Sequence, residues 1–142
     1  MKKDVFITIK SVQIVDDERD TIELETKGSF FKRRDGYQIS YDESEATGFE
    51  GSRTTLSVAG DDKVTLIRSG NSPSNLIIER GKKHHCHYGT MFGDIVIGIN
   101  ASKISSTLSD SGGEVYFKYT IDINSSYMSD NEIYVNIKEL EQ

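Results

Sequence analysis

Two charged side chains occupy inward-facing positions in strands that the sequence predicts. Arg68 continues the alternation of Val64 and Leu66 along one segment. Glu43 continues the alternation of Tyr41 along another segment. Because successive side chains of a strand point to opposite faces, both charges should lie on the apolar side of their strands. A guanidinium in an apolar interior needs a partner, so these residues predict either a buried ion pair or an anion-binding site.

The two interpretations of Arg68 differ in what satisfies its charge. In the structural interpretation, Arg68 pairs with Glu43 and tyrosine hydroxyls lie nearby. In the functional interpretation, Arg68 acts with Tyr41 or Tyr119 to bind an acidic ligand at the mouth of a barrel. We therefore take Arg68, Glu43, Tyr41 and Tyr119 as the candidate ligand-binding residues.

The segment from His84 to His87 contains all three histidines and the only cysteine of the chain. In a strand, His85 and His87 share one face, and two imidazoles at this spacing can share a zinc ion. A closed site needs more ligands, but Cys86 lies on the opposite face and the spacing selects no others. We therefore predict no metal site and no cofactor. His85 and His87 are the only weak candidates for metal ligands.

Nucleophilic catalysis also lacks a motif in this sequence. Cys86 would need a base within hydrogen-bond reach, and its neighbours along the strand face away from it. A Gly-x-Ser-x-Gly elbow and a glycine-rich phosphate loop are both absent. Paired carboxylates such as Asp16-Asp17 fall in predicted turns, where they are solvated. We predict that the protein is not an enzyme.

Segments of two-residue alternation run along the whole chain and predict ten strands. Their bounds are 5–15, 21–31, 37–43, 53–59, 63–69, 76–79, 84–90, 94–101, 114–123 and 132–138. No segment has a convincing 3.6-residue period, although residues 101–108 could form either a helical turn or an irregular strand. In the first strand the apolar set changes sides near Lys10-Ser11, which predicts a β-bulge at that point.

Amphipathic strands at hairpin spacing predict an all-β fold with antiparallel sheet. A sheet with one apolar face must close on itself or fold over, so a barrel and a sandwich are the alternatives. The short connections favour a closed antiparallel up-and-down β-barrel, and 142 residues form one domain, 1–142. The inward residues are bulky, which favours a narrow or filled interior.

The composition excludes several classes of partner. A net charge of −6 disfavours nucleic acid, which requires a concentrated basic face. No segment is long or apolar enough to span a membrane, and the first apolar run is too short for a signal peptide. A single cysteine excludes an internal disulfide. Together these features predict a cytoplasmic protein.

The order of several short motifs resembles that of a known family. They are Ile22-Glu23-Leu24, Gly36-Tyr37-Gln38-Ile39-Ser40-Tyr41-Asp42-Glu43, Val64-Thr65-Leu66-Ile67-Arg68-Ser69-Gly70, Glu79-Arg80-Gly81, Tyr88-Gly89-Thr90 and Val115-Tyr116-Phe117-Lys118-Tyr119. This pattern is similar to the YwiB-like family, small bacterial proteins catalogued as a domain of unknown function. The resemblance implies a calycin-like, and so lipocalin-like, barrel and no established activity.

The sequence thus predicts a binding protein rather than a catalyst. The expected ligand is a small acidic or amphipathic molecule held inside the barrel, by analogy of fold. The alternative is a non-catalytic interaction module that uses its outer surface or an uncovered edge strand, for example to form a homodimer.

Overall fold

The computed structural model describes residues 2–43, 51–70, 73–90, 93–124 and 126–140, which fold as antiparallel sheet. Within these ranges there are ten strands and no helix. The strands are β1 (Lys2–Val15), β2 (Glu18–Arg33), β3 (Gly36–Asp42), β4 (Arg53–Ala59), β5 (Lys63–Ser69), β6 (Ser74–Glu79), β7 (Lys83–Thr90), β8 (Gly93–Ser106), β9 (Gly112–Ile123) and β10 (Ser126–Glu139).

Each strand pairs with the next one along the chain, and the last strand pairs with the first. The β1–β10 ladder runs from Val5↔Glu139 to Ile14↔Asp130 and closes the sheet into a barrel. The fold is therefore a closed antiparallel up-and-down β-barrel, as the sequence predicts. The bounds of β4 and β5 coincide with those read from the alternation, and most other strands extend further.

Alternation along each strand determines which residues form the core. In β9, Val115, Phe117 and Tyr119 are buried inside, whereas Glu114 and Tyr116 face outward. Removing the inward apolar side chains from water is the main force that holds the wall closed.

One end of the barrel is filled by directly opposed apolar side chains. On one side of the barrel, register pairs join Tyr37, Val58, Val64 and Ile78 into one continuous row. The ring of Phe30, from the adjacent row, stacks on that of Tyr37 with centroids 5.1 Å apart. The expectation of a filled interior is correct for this end of the barrel.

The predicted β-bulge at Lys10-Ser11 is wrong. β1 keeps an unbroken register with both neighbours, from Ile9↔Leu24 to Gln13↔Asp20 on the β2 side. The apolar set ends there because the interior itself becomes polar, so Ser11 and Gln13 point into the barrel.

Register shifts do occur in two other strands, between Ala101 and Lys103 of β8 and between Tyr127 and Ser129 of β10. The shift in β8 also resolves the ambiguity of residues 101–108. The segment is a strand as far as Ser106, and its broken alternation reflects an extra residue rather than a helical turn.

Gly28 occupies a position at which the wall has no room for a side chain. A Cβ atom there would lie 2.6 Å from Cδ1 of Ile7 and would collide with the backbone carbonyl of Ser40. Gly28 is also directly opposite Tyr41, whose ring lies inside the barrel. The glycine therefore makes space for the Tyr41 side chain.

The substitution Gly28→Ala should lower the free energy of unfolding by about 1–3 kcal/mol, because overpacking forces the wall to shift. Urea denaturation measures this change. The control is Lys27→Ala, at the neighbouring exposed position, which should stay within about 0.5 kcal/mol of the parent. An unchanged midpoint for Gly28→Ala would contradict this account of the packing.

Candidate ligand-binding cavity

The end of the barrel opposite the filled one contains a cavity of about 490 Å³. Its residues near the β1–β2 turn, Gln13, Asp20 and Thr21, are exposed, whereas Leu56 and Phe117 deeper in are buried. The cavity therefore opens to solvent at the end that carries this turn. The expectation of a filled interior is wrong for this half of the molecule, where the volume lies in the range of small-molecule sites.

Arg68 lies in a polar row that runs around one side of the cavity. Register pairs join Tyr41 of β3 to Thr54 of β4, Thr54 to Arg68 of β5, and Arg68 to Ser74 of β6. Arg68 Nη1 donates a hydrogen bond to Ser74 Oγ at 3.3 Å. All four residues are buried. The row arises because four successive strands place a polar residue at the same inward level.

Glu43 lies just beyond this row, toward the mouth. Thr54 Oγ1 donates a hydrogen bond of 2.5 Å to Glu43 Oε1, and this contact is buried. The backbone N–H of Glu43 donates to the carbonyl of Ser52 at 2.8 Å, which fixes the residue at the end of its strand. The site therefore holds a carboxylate and a guanidinium that both bond to hydroxyl groups of adjacent strands.

Tyr119 lies on another strand of the cavity wall, opposite Asn131 of β10. Asn131 is also buried, and its Nδ2 donates to Ser129 Oγ at 3.0 Å. The Tyr119 ring lies 6.0 Å from that of Phe117, which belongs to the apolar part of the lining. The cavity thus has polar groups toward its mouth and apolar side chains deeper in, among them Leu56, Leu66, Leu76 and Phe117.

Burial raises the pKa of both inner tyrosines well above the ordinary value. For Tyr41, the negative charge of Glu43 and a hydrogen bond to it raise the pKa further, while the Arg68 guanidinium acts in the opposite direction. For Tyr119, burial acts with the neighbouring Tyr88, again against Arg68. Both phenols therefore remain protonated and can donate to an anion. The guanidinium of Arg68 lowers the pKa of both rings, in opposition to burial.

Comparisons with known proteins bear on the whole barrel. Residues 7–135 match the model of the family described as domain of unknown function DUF1934. The chain belongs to this family. Its fold is similar to the crystal structure of the YwiB protein from Bacillus subtilis, with a TM-score of 0.85 and 20% identity. That match covers 99% of this chain and 94% of the other. No curated protein sequence matches the chain.

All four candidate residues of this DUF1934 barrel line the same cavity: Arg68, Glu43, Tyr41 and Tyr119. The direct pairing of Arg68 with Glu43 stays a prediction. Sequence reasoning missed further polar residues of the site, namely Ser11, Gln13, Thr54, Ser74, Tyr88 and Asn131. A signal for them exists, since each occupies an inward position of its strand. This signal is easily overlooked, because a polar residue at an inward position looks like the end of the apolar alternation.

The histidine segment lies outside this site. His85 and His87 are exposed on the outer face of β7, and Cys86 is buried on the inner face. Within the described ranges, no three histidine, cysteine, aspartate or glutamate side chains are close enough to hold a metal ion. The described residues likewise include no helix of the length and apolarity needed to cross a membrane.

Tyr41 and Tyr119 should stay un-ionised when the pH is raised about one unit above the ordinary tyrosine pKa of about 10. A folded-state pKa above the unfolded value means that stability is intact below pH 10 and is lost as the pH rises beyond it. Ultraviolet absorbance of the phenolate band measures tyrosine ionisation, and circular dichroism over the same pH range measures unfolding.

The variants Tyr41→Phe and Tyr119→Phe identify the two groups in that titration. Each should remove one tyrosine from the fraction that ionises only when the barrel unfolds. If either variant instead removes a tyrosine that titrates in the folded protein near pH 10, the environment derived for that ring is wrong.

Proposed function

We propose that the barrel binds a small amphipathic molecule with an acidic head group. The observation that carries this proposal is one cavity with a guanidinium and two protonated tyrosines near its mouth and leucine side chains beneath them. An anionic head can accept charge-assisted hydrogen bonds from Arg68 and neutral ones from Tyr41 and Tyr119. An apolar chain can displace water from Leu56 and Leu66.

The charges of the site limit how much negative charge a ligand can carry, because Glu43 and Asp20 stand against the single guanidinium of Arg68 in the cavity lining. Glu43 supplies one carboxylate beside Arg68, and it is hydrogen-bonded to Thr54. A guanidinium has five N–H donors, so the Arg68–Ser74 bond is compatible with a bond to a ligand. A ligand with several charges would meet repulsion from Glu43, whereas a monoanion with an apolar body matches both parts of the cavity.

The role proposed is binding rather than catalysis, in the cytoplasm. It is supported by the environment of the one cysteine, whose Sγ accepts a hydrogen bond from the backbone N–H of Ile77. A nucleophile would need a base at that distance. The single free thiol suits a reducing compartment, and the calycin-like kinship implied by the motifs accords with a ligand-binding interior.

Dodecanoate and dodecanol are matched probes for this proposal, because they share a chain and differ in the charge of the head. Isothermal titration calorimetry should show dodecanoate binding roughly ten- to a hundred-fold more tightly, as expected for a charge-assisted hydrogen bond. Arg68→Met should remove that difference. Native mass spectrometry of the purified protein should also find a bound small molecule.

The control is Arg53→Met, the same change at an exposed arginine of the adjacent strand, paired with Asp42 on the outer surface. It should leave dodecanoate binding unaltered. The proposal fails if neither probe binds to the folded protein, or if Arg68→Met and Arg53→Met behave alike.

An interaction module is the second candidate, and one surface feature favours it. Tyr127 and Met128 at the start of β10 and Val15 at the end of β1 are large apolar residues that are exposed. They lie at the same end of the barrel as the cavity mouth. Sedimentation velocity tests self-association: a dimer that Met128→Lys dissociates supports this candidate, and a monomer at all concentrations removes it.

A further inference from the structure

The junction between β6 and β7 is the least continuous part of the described barrel wall. Its backbone register contains a single residue pair, Asn75↔His87. The junctions on either side are continuous: β5–β6 pairs from Lys63↔Glu79 to Arg68↔Ser74, and β7–β8 pairs from Lys83↔Asn100 to Thr90↔Gly93. We call the interval between β6 and β7 the seam.

A side chain replaces a backbone acceptor within the seam. The N–H of Ile77 donates to Cys86 Sγ at 3.3 Å instead of to a carbonyl of β7. Sulfur is a weak acceptor, so this bond holds the two strands less firmly than a ladder bond. Cys86 is only 4% exposed, and it therefore fills the interval between the strands from the inner side.

Polar contacts of Glu79 close the seam beside the β6–β7 turn. His84 Nε2 lies 2.8 Å from Glu79 Oε1, and Lys82 Nζ lies 3.6 Å from Glu79 Oε2. The hydrogen bond from His84, and to a smaller extent the charges of Lys82 and Lys63, lower the pKa of Glu79, although partial burial acts against them. The two side chains thus link strands that the backbone leaves largely unpaired.

The seam borders the cavity. Leu76 of β6 and Tyr88 of β7 line the cavity from the two sides of the seam. Between these strands the interior is separated from solvent by side-chain contacts. Local opening of a protein begins where few backbone hydrogen bonds must break. The described part of this junction has one register pair, one sulfur contact, the contacts of Glu79 with His84 and Lys82, and a turn bond from the Lys82 N–H to the Glu79 carbonyl.

We propose that the β6–β7 seam is a lateral gate, which opens by separation of the Glu79–His84 and Ile77–Cys86 contacts while the rest of the barrel stays folded. This inference rests on the wall alone and does not depend on which ligand the cavity takes. The gate gives access to the interior from the side of the barrel in addition to the mouth.

Cys86 reports on the gate without any added label, because it is the only cysteine in the chain. Its thiol is buried and is not among the residues that line the cavity, so a reagent at the mouth does not reach it. Dithionitrobenzoate should label Cys86 of the native protein at least about ten-fold faster than the global unfolding equilibrium allows. Labelling at the rate set by global unfolding would overturn the proposal.

Matched variants test which contacts hold the gate. Glu79→Ala removes the polar contacts of the seam with His84 and Lys82, and it should accelerate labelling by about two- to five-fold, the effect of losing partly exposed polar contacts. The control Asp42→Ala removes the Arg53 ion pair at the β3–β4 junction, whose ladder is continuous. It should leave the labelling rate unaltered, and equal acceleration by both variants would overturn the proposal.

Amide hydrogen exchange of the unmodified protein gives a second measurement that no folding defect can obscure. The amide of Ile77 should exchange at least about ten-fold faster than the amide of Leu56, which lies in the continuous β3–β4–β5 part of the wall. Equal protection of the two amides would show that the seam opens only with the whole barrel, and would overturn the gate.

Discussion

The pairing of β1 with β10 is the constraint on which the rest of the structure depends. It joins the two ends of a ten-strand meander, so that neither terminal strand remains an open edge within the described wall. Once the wall is closed, alternation alone decides whether a side chain lies inside or outside. The chain therefore needs no helix in its described ranges to cover an apolar face. Whether the interior is filled or hollow then depends on the inward residues alone.

The interior changes character along the barrel axis. At one end, apolar rows such as that of Val58, Val64 and Ile78 are buried against each other. At the other end, the inward positions are occupied by Arg68 and by the hydroxyl residues Thr54 and Ser74, and a cavity remains. A buried guanidinium is seldom the most stabilising choice for such a position, since apolar residues of similar size often serve stability as well or better. Its presence at the mouth, beside two protonated tyrosines, is the feature on which the proposed binding of an anion rests.

Much of this fold could be predicted from the sequence, because its main signal has a period of two. The ten segments and the inward orientation of Arg68, Glu43, Tyr41 and Tyr119 follow from alternation, and the structure has all of them. Three features could not be predicted from the alternation. The hollow end depends on three-dimensional volume, which the size of single residues does not reveal. The change of pattern at Lys10-Ser11 reads equally as a bulge or as a polar interior, and only the register of β1 separates them. The weak pairing of β6 with β7 has no local signature either, since Cys86 reads as an ordinary inward residue.

The central claim is that one end of this closed wall is a hollow, amphipathic site built around Arg68. Nuclear magnetic resonance of methyl-labelled protein with dodecanoate tests it most directly, because it locates the probe on the inner or the outer face of the same strands. The account predicts intermolecular nuclear Overhauser effects from the probe to the inward methyl groups of Leu56, Leu66 and Leu76, with none to the exposed Ile67 of the same sheet. Effects confined to Ile67 and other outward methyl groups, or none to the inward leucines at saturating probe, would contradict it.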